Sequence, residues 1–414
     1  MRSDVGCDTF DVVADALNTL TFRPPVDADW PAMTRLAAAS FGGFRPEAAT
    51  DMWGTLIPDD GAIVACDEDD LVGMAYYLDL RLTVPGGAVL PMAGVSWVCV
   101  APTHRRRGVL REMFGQLHRA MASKNFPIAG LEASEGGIYS RFGYGPATVA
   151  ETLTIDTRHA RFHADVPDPR GVRFVRPVDH RAKLEDVYER WRLRTPGGLY
   201  TPPQMWDEVL EDRESARHGG SALFTLLHDD GFAIYRQHGD GERKSVVITK
   251  LATVTDEAYV ALWRTLLGMD LKDTVTVQAP PDGLLPYLLT DSRLVRNTGS
   301  EDGLWLRIID VPSVLEARTY SADLSVVLEI SDGVLGGGGR FALEIRDGKA
   351  RCECSGADPD VHTDLSVLGS LYFGTHRASA FAAANRLRCK DSSVIARLDA
   401  AFASAVPAQI GFGF

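Results

Sequence analysis

The stretch from Val98 to Arg111 constrains this chain more than any other. It reads Val-Cys-Val-Ala-Pro-Thr-His-Arg-Arg-Arg-Gly-Val-Leu-Arg and joins an apolar strand to an amphipathic helix through a basic turn that carries a glycine. Beyond it Met113, Phe114, Leu117, Ala120 and Met121 recur on one helical face, which places Gly108 at the helix start. The first backbone N–H groups of a helix lack internal partners and the dipole is positive there. A pyrophosphate therefore finds donors and charge at that point, and glycine lets it approach closely. Taken alone, an Arg-x-x-Gly turn also reads as a surface charge run capping a strand-helix junction.

Further along, Phe126 to Ser134 reads as a second buried strand, followed by Glu135 to Gly145 with Tyr139, Gly143 and Tyr144 in a Tyr-x-x-x-Gly-aromatic pattern. Strand, phosphate turn, helix, strand and this pattern resemble the core of the GNAT N-acetyltransferases, whose turn reads Arg/Gln-x-x-Gly-x-Gly/Ala. Arg105 to Leu110 fits except at Leu110, where a small residue is usual. The run from Ala93 to Gly108, the run from Ala133 to Thr148 and the terminal aromatic resemble the enhanced intracellular survival acetyltransferases of actinobacteria. The resemblance implies an α/β (α+β) fold: tandem GNAT-like domains followed by a sterol-carrier-protein-like α+β domain.

Composition fits that frame. A chain of 414 residues is long for one core and suggests two or three domains. With 45% hydrophobic and 24% charged residues it reads as an ordinary globular protein. No apolar run is long enough to span a bilayer, and the start, with Asp4, Asp8 and Asp11, lacks the regions of a signal peptide. The expectation is a cytoplasmic protein, with export by a route independent of a signal peptide left open. Six scattered cysteines suit reduced thiols, and the close pair Cys352 and Cys354 lacks the further ligands of a metal site, so no metal is expected. A formal charge of −13 argues against nucleic acid and favours cationic partners, although acidity also serves solubility.

Leu20 to Arg23 and Asp29 to Phe41 read as a first strand and helix, with strands following at Ala62 to Cys66, Val72 to Leu80 and Ala88 to Val100. A proline-bearing stretch around Asp165 to Gly171 reads as a linker. The domains are accordingly drawn as a catalytic unit over 1–165, a degenerate GNAT-like unit over 166–302 and a sterol-carrier-like unit over 303–414. The second repeats the strand-helix-strand rhythm, but from Lys250 to Leu267 it has no basic Arg-x-x-Gly turn, so it is not expected to hold coenzyme A. The third opens with a strand near Leu304 to Ile309, and its Gly336 to Gly339 run is a hairpin connection.

The resemblance implies acetyl-CoA as co-substrate. The backbone of Arg106, Arg107, Gly108, Val109 and Leu110 would hold the pyrophosphate, with the side chains of Arg105, Arg106 and Arg111 beside the phosphates. The pantetheine arm would pair with the strand at Val98, Cys99 and Val100, whose backbone also polarises the thioester carbonyl; as side chains the valines read as core. Tyr139 matches the acid that protonates the leaving thiolate; with an ordinary pKa of about 10 it keeps its proton at neutral pH. In this subfamily the C-terminal Phe carboxylate serves as the base, and Phe414 matches it. The uncharged tail from Val406 to Phe414 suits a tucked rather than a frayed end.

Members that acetylate aminoglycosides carry acidic residues where this chain has Gly43 and Gly413, while Trp53 matches an aromatic of the acceptor pocket, or packs in the core. The function implied is acetyl transfer to primary amines of cationic acceptors, an aminoglycoside, a polyamine or a lysine side chain, by direct attack in a ternary complex. The alternative is a module that senses acetyl-CoA or binds lipid or protein. The resemblance further implies a homo-oligomer, a hexamer.

Overall fold

The structure, a computed structural model, describes residues 19–42, 55–239, 244–333 and 335–414. They form three β-sheets. The first runs in the order β1 (Leu20–Arg23), β2 (Ala62–Asp67), β3 (Asp70–Thr83), β4 (Val89–Val100), β5 (Ile128–Glu132), β14 (Leu304–Ile308) and β6 (Gly145–Pro146). β1 to β4 make an antiparallel meander, and β5 returns parallel to β4. A parallel neighbour needs a crossover, and helix α2 (Val109–Ser123) supplies it. Successive strand residues face opposite sides of the sheet. Ile63 and Ala65 accordingly pack with Met113, Phe114 and Leu117 of α2, while Val64, Cys66 and Cys99 pack with Met33, Leu36 and Ala37 of helix α1 (Trp30–Phe41).

The second sheet repeats the plan. Its order is β13 (Val295–Asp302), β7 (Val149–Asp156), β12 (Thr274–Ala279), β11 (Ser245–Thr253), β10 (Gly231–His238), β9 (Phe224–His228) and β8 (Arg173–Val175). β11 and β12 are parallel, joined through helix α6 (Asp256–Leu267); helices α4 (Arg181–Arg192) and α5 (Pro203–Glu211) precede β9. The third sheet, in the order β17 (Lys349–Cys354), β16 (Gly339–Arg346), β15 (Leu324–Ser331), β18 (Val361–Asp364) and β19 (Arg388–Cys389), carries helices at Val311–Ala317, Leu365–Leu371, Ala378–Ala383 and Ser393–Phe402. The five described cysteines are free.

Most of the strands and helices expected from periodicity are present. The difference lies in how they assemble. Leu304–Ile308, expected to open the third unit, pairs instead with β5 and β6 of the first sheet, and Val149–Asp156 joins the second, so sheet membership crosses the lines drawn at 165 and 302. The physical reason is the need to cover an edge: without β14 the short apolar β5 would expose its hydrogen-bonding groups. The run Leu-Trp-Leu-Arg-Ile is buried on both faces, as an internal strand requires. Its one charge, Arg307, is neutralised by Asp332 of the third unit at 2.6 Å and donates to the Phe142 carbonyl at 2.8 Å. Among the described residues no helix is long and apolar enough to cross a membrane.

Candidate active site

The site arises where β4 and β5 part. They pair at Met92 with Ile128, Ala93 with Ala129 and Gly94 with Gly130, after which β4 continues to Val100 and β5 to Glu132 without each other. A bulge turns β4 aside: Met74 faces Cys99 and Tyr76 faces Ser96, so Trp97 and Val98 together oppose Ala75. Trp97 adopts φ +48°, a left-handed conformation costly for a bulky residue and concentrated at functional sites. Between the diverging strands lies a cavity of about 390 Å³, lined among others by Phe41, Trp97, Glu132, Ser134, Tyr139 and Phe414.

At the end of β4 the chain forms the turn that the sequence predicts. Helix α2 begins at Val109, with Gly108 as its N-cap at φ +86° and Arg106 at φ +65°. No side chain caps this N-terminus, so its first amides stay open to a ligand. Nearby polar side chains are paired, His104 with Asp67 at 3.0 Å and Arg119 with Glu112 at 3.9 Å. Arg105, Arg106, Arg107 and Arg111, by contrast, are exposed and form no salt bridge among the described residues. Four arginines without a salt bridge among the described residues, around an uncapped helix start, have the charge and the open donors that an anion needs.

The neighbouring side chains divide between surface and core. Val98 and Val100 are half-buried and pack against the α2 core, while Cys99 points the other way, where burial pushes its thiol up to about 11. Val109 is buried. Leu110, where a small residue is usual, turns onto the same apolar cluster and leaves the turn clear.

Tyr139 ends a single helical turn, α3 (Gly136–Tyr139), and its side chain lines the cavity. Burial pushes its phenol up to about 12, with a hydrogen bond to Ser134 pulling the other way. Tyr144 stands behind it, ring centroids 6.4 Å apart, and pairs with His118 Nε2 at 2.8 Å; burial above all drives that imidazole down to about 3, so it is neutral. Tyr144 and His118 thus belong to the wall rather than to the cavity.

The C-terminal tail enters from the opposite side. Phe412 is buried between Tyr188 at 5.0 Å and Trp206 at 5.4 Å. Lys250 of β11 sits 3.0 Å from the centre of the Phe412 ring and donates to the Gly411 carbonyl. Burial pushes the Lys250 ammonium well below the usual lysine range. The Phe414 backbone N–H donates to Glu132 Oε2 at 2.9 Å, and the Phe414 ring packs over Gly94, where a Cβ would come within 2.9 Å of it. The tail is therefore held by residues of both GNAT-like sheets.

Of the residues singled out in the sequence, Tyr139, Phe414 and Val98 line one cavity, whereas Cys99, Val100 and the turn from Arg105 to Arg111 are not part of its lining. Trp53, with Gly43, lies outside the described residues. Sequence reasoning singled out neither Glu132 nor Lys250. Strand parity gave no signal for Lys250: a bulge at Thr249 turns it to the face of Ile234 and Ala252, opposite that of Val246 and Ile248. Among the described residues no group of three His, Cys, Asp or Glu side chains is placed to hold a metal.

Comparison with known proteins accords with this geometry. Family models described as acetyltransferase (GNAT) domains match residues 21–147 and 197–308, and a sterol carrier protein domain matches 311–409. The chain is 53% identical over 408 residues to N-acetyltransferase Eis of Mycobacterium tuberculosis, covering 96% of this chain and 100% of that one. It is 34% identical over 414 residues to an uncharacterized N-acetyltransferase of Streptomyces coelicolor, covering 95% and 100%. The crystal structure of Eis1 from Mycobacterium abscessus superimposes with a TM-score of 0.84 at 29% identity, covering 95% of this chain and 100% of that chain.

Proposed function

Since the chain belongs to the Eis family of GNAT N-acetyltransferases and is an acetyl-CoA-dependent enzyme of that class, we propose that it acetylates primary amines of cationic acceptors by direct attack in a ternary complex. The observation that carries this reading is that Tyr139 and the last residue, Phe414, far apart in sequence, line one cavity at the parting of β4 and β5.

In this reading the pyrophosphate of acetyl-CoA rests on the open amides from Arg106 to Leu110, with Arg105, Arg106, Arg107 and Arg111 supplying charge. The pantetheine arm lies along β4 from Val98 to Val100, whose β5-side edge has lost its strand partner. The thioester carbonyl then meets a backbone N–H of that edge, which stabilises the oxyanion of the tetrahedral intermediate. The Phe414 carboxylate takes a proton from the acceptor nitrogen as its lone pair attacks the carbonyl carbon. The C–S bond breaks, the sulfur takes the Tyr139 phenolic proton, and the phenolate regains one from the protonated carboxylate through water. The high pKa of Tyr139 supports the acid role, because the proton is in place at neutral pH before the sulfur departs.

The first unit, its sheet completed by β14, is thus the catalytic domain, with the second unit lacking a cofactor turn and the third returning the carboxylate. The family resemblance supports a homo-oligomer, a hexamer. Thiol release from acetyl-CoA across a panel of mono-, di- and polyamines tests the proposal: amine-dependent release is expected, whereas acetyl-CoA binding without release under any amine supports the sensing or binding module instead.

A further inference from the structure

Among the described residues Glu132 is the one carboxylate side chain lining the cavity between β4 and β5, and no lysine, arginine or histidine of them forms a salt bridge with it. Its Oε2 holds the Phe414 N–H at 2.9 Å. The terminal carboxyl carbon is two bonds from that nitrogen, so the two carboxylates lie within roughly 6 Å of each other. Gly413 makes this possible, because a Cβ there would come within 2.9 Å of Oε2. Two anionic groups accordingly share one cavity with the rings of Phe41, Trp97 and Tyr139, and none of the described residues that line it is basic.

Glu132 is exposed to the cavity space, and its only hydrogen bond among the described residues comes from the Phe414 N–H. The terminal carboxylate beside it is a like charge. An ammonium between the two relieves that repulsion, and the aromatic faces around it add cation–π attraction. We propose that Glu132 is a second cation-binding group of the acceptor site, placed beside the terminal carboxylate so that the enzyme favours acceptors with a second ammonium a short spacer away from the amine that is acetylated. The inference rests on the proposed base role of Phe414, since that role fixes which amine sits at the tail. Glu132 itself exchanges no proton with the reacting nitrogen; it positions the acceptor through charge.

Glu132→Gln removes the charge and keeps an oxygen for the Phe414 N–H. The readout is the ratio of kcat/KM for a short diamine to that for a monoamine of equal chain length. The variant is expected to lower this ratio about 10-fold or more, the loss of one charge-assisted hydrogen bond, and Glu132→Asp is expected to restore part of it. Acetyl-CoA affinity, measured by calorimetry at the distant Arg105–Arg111 turn, reports that each variant is folded. An unchanged ratio in folded Glu132→Gln overturns the inference, whether or not absolute rates fall, because a residue that only steadies the tail affects both amines alike. If a C-terminal extension leaves turnover intact while Glu132→Gln still lowers the ratio, the base assignment fails and the cation site stands.

Discussion

The two GNAT-like sheets contain the same local arrangement with opposite chemistry at its key point. In each a long strand pairs in parallel over a short stretch with the strand that follows a crossover helix, β4 with β5 and β11 with β12, and then runs past it. In the first, the helix start is left open by Gly108 and ringed by four unpaired arginines. In the second, Thr255 caps α6 by accepting the Ala258 N–H at 3.2 Å, and Asp256 and Glu257 occupy the first turn. One of those amides is already used and the local charge is negative, so a phosphate meets fewer donors and repulsion in place of attraction. On the proposed assignment, one fold carries a cofactor site or lacks it according to a few residues at a helix N-terminus. What the second sheet retains is structural: Lys250 on β11 grips the tail whose end reaches the first.

The largest expected effect breaks this comparison at the first turn. Arg106→Glu combined with Gly108→Asp places negative charge where the first unit differs from the second, and acetyl-CoA affinity should fall by roughly a thousandfold or more, since each charge-assisted contact is worth ~1.5–3 kcal/mol. Calorimetry on variant protein with unaltered thermal unfolding decides it, and retained affinity removes the turn from the cofactor site. Next in size, Tyr139→Phe should lower kcat ~10²-fold or more with acetyl-CoA affinity nearly intact, as a general acid acts in the transition state. Burial pushes Tyr139 up to about 12, so its acid form is lost only as pH rises toward that value, and an alkaline decline near neutrality belongs to another group. The smallest effect sharpens the comparison from the other side: Thr255→Ala should cost ~1 kcal/mol of stability by freeing a helix amide, seen as a lower unfolding midpoint. Acetyl-CoA binding stoichiometry should stay at about one per chain, because Asp256 and Glu257 remain. A second equivalent bound by either protein contradicts the contrast between the two sheets.

The strand-turn-helix unit was legible because glycine and a helical period mark its boundary, and the Arg105–Gly108 motif and the terminal aromatic pointed to opposite ends of one reaction. The bulge at Trp97 left no such mark. A bulky residue at φ +48° is imposed by the pairing of neighbouring strands, which local propensity does not report. Nor did Glu132 stand out, since a charge ending a buried strand is common and its partner, the Phe414 N–H, is fixed only by the path of the whole chain. The placement of β14 beside β5 was hidden for the same reason: an apolar run announces a strand without naming its neighbours. Lys250 was hidden too, because the bulge at Thr249 reverses the faces of β11 there and local parity does not report it.

The central claim is that the terminal carboxylate of Phe414 is the base, delivered by a tail clamped at Lys250 and Glu132. Adding a short C-terminal extension converts that carboxylate to an amide without altering any side chain. The account predicts a loss of about a hundredfold or more in kcat/KM, within the range a general base supplies, with acetyl-CoA affinity unchanged. An extended enzyme that binds acetyl-CoA normally and turns over at the full rate contradicts it.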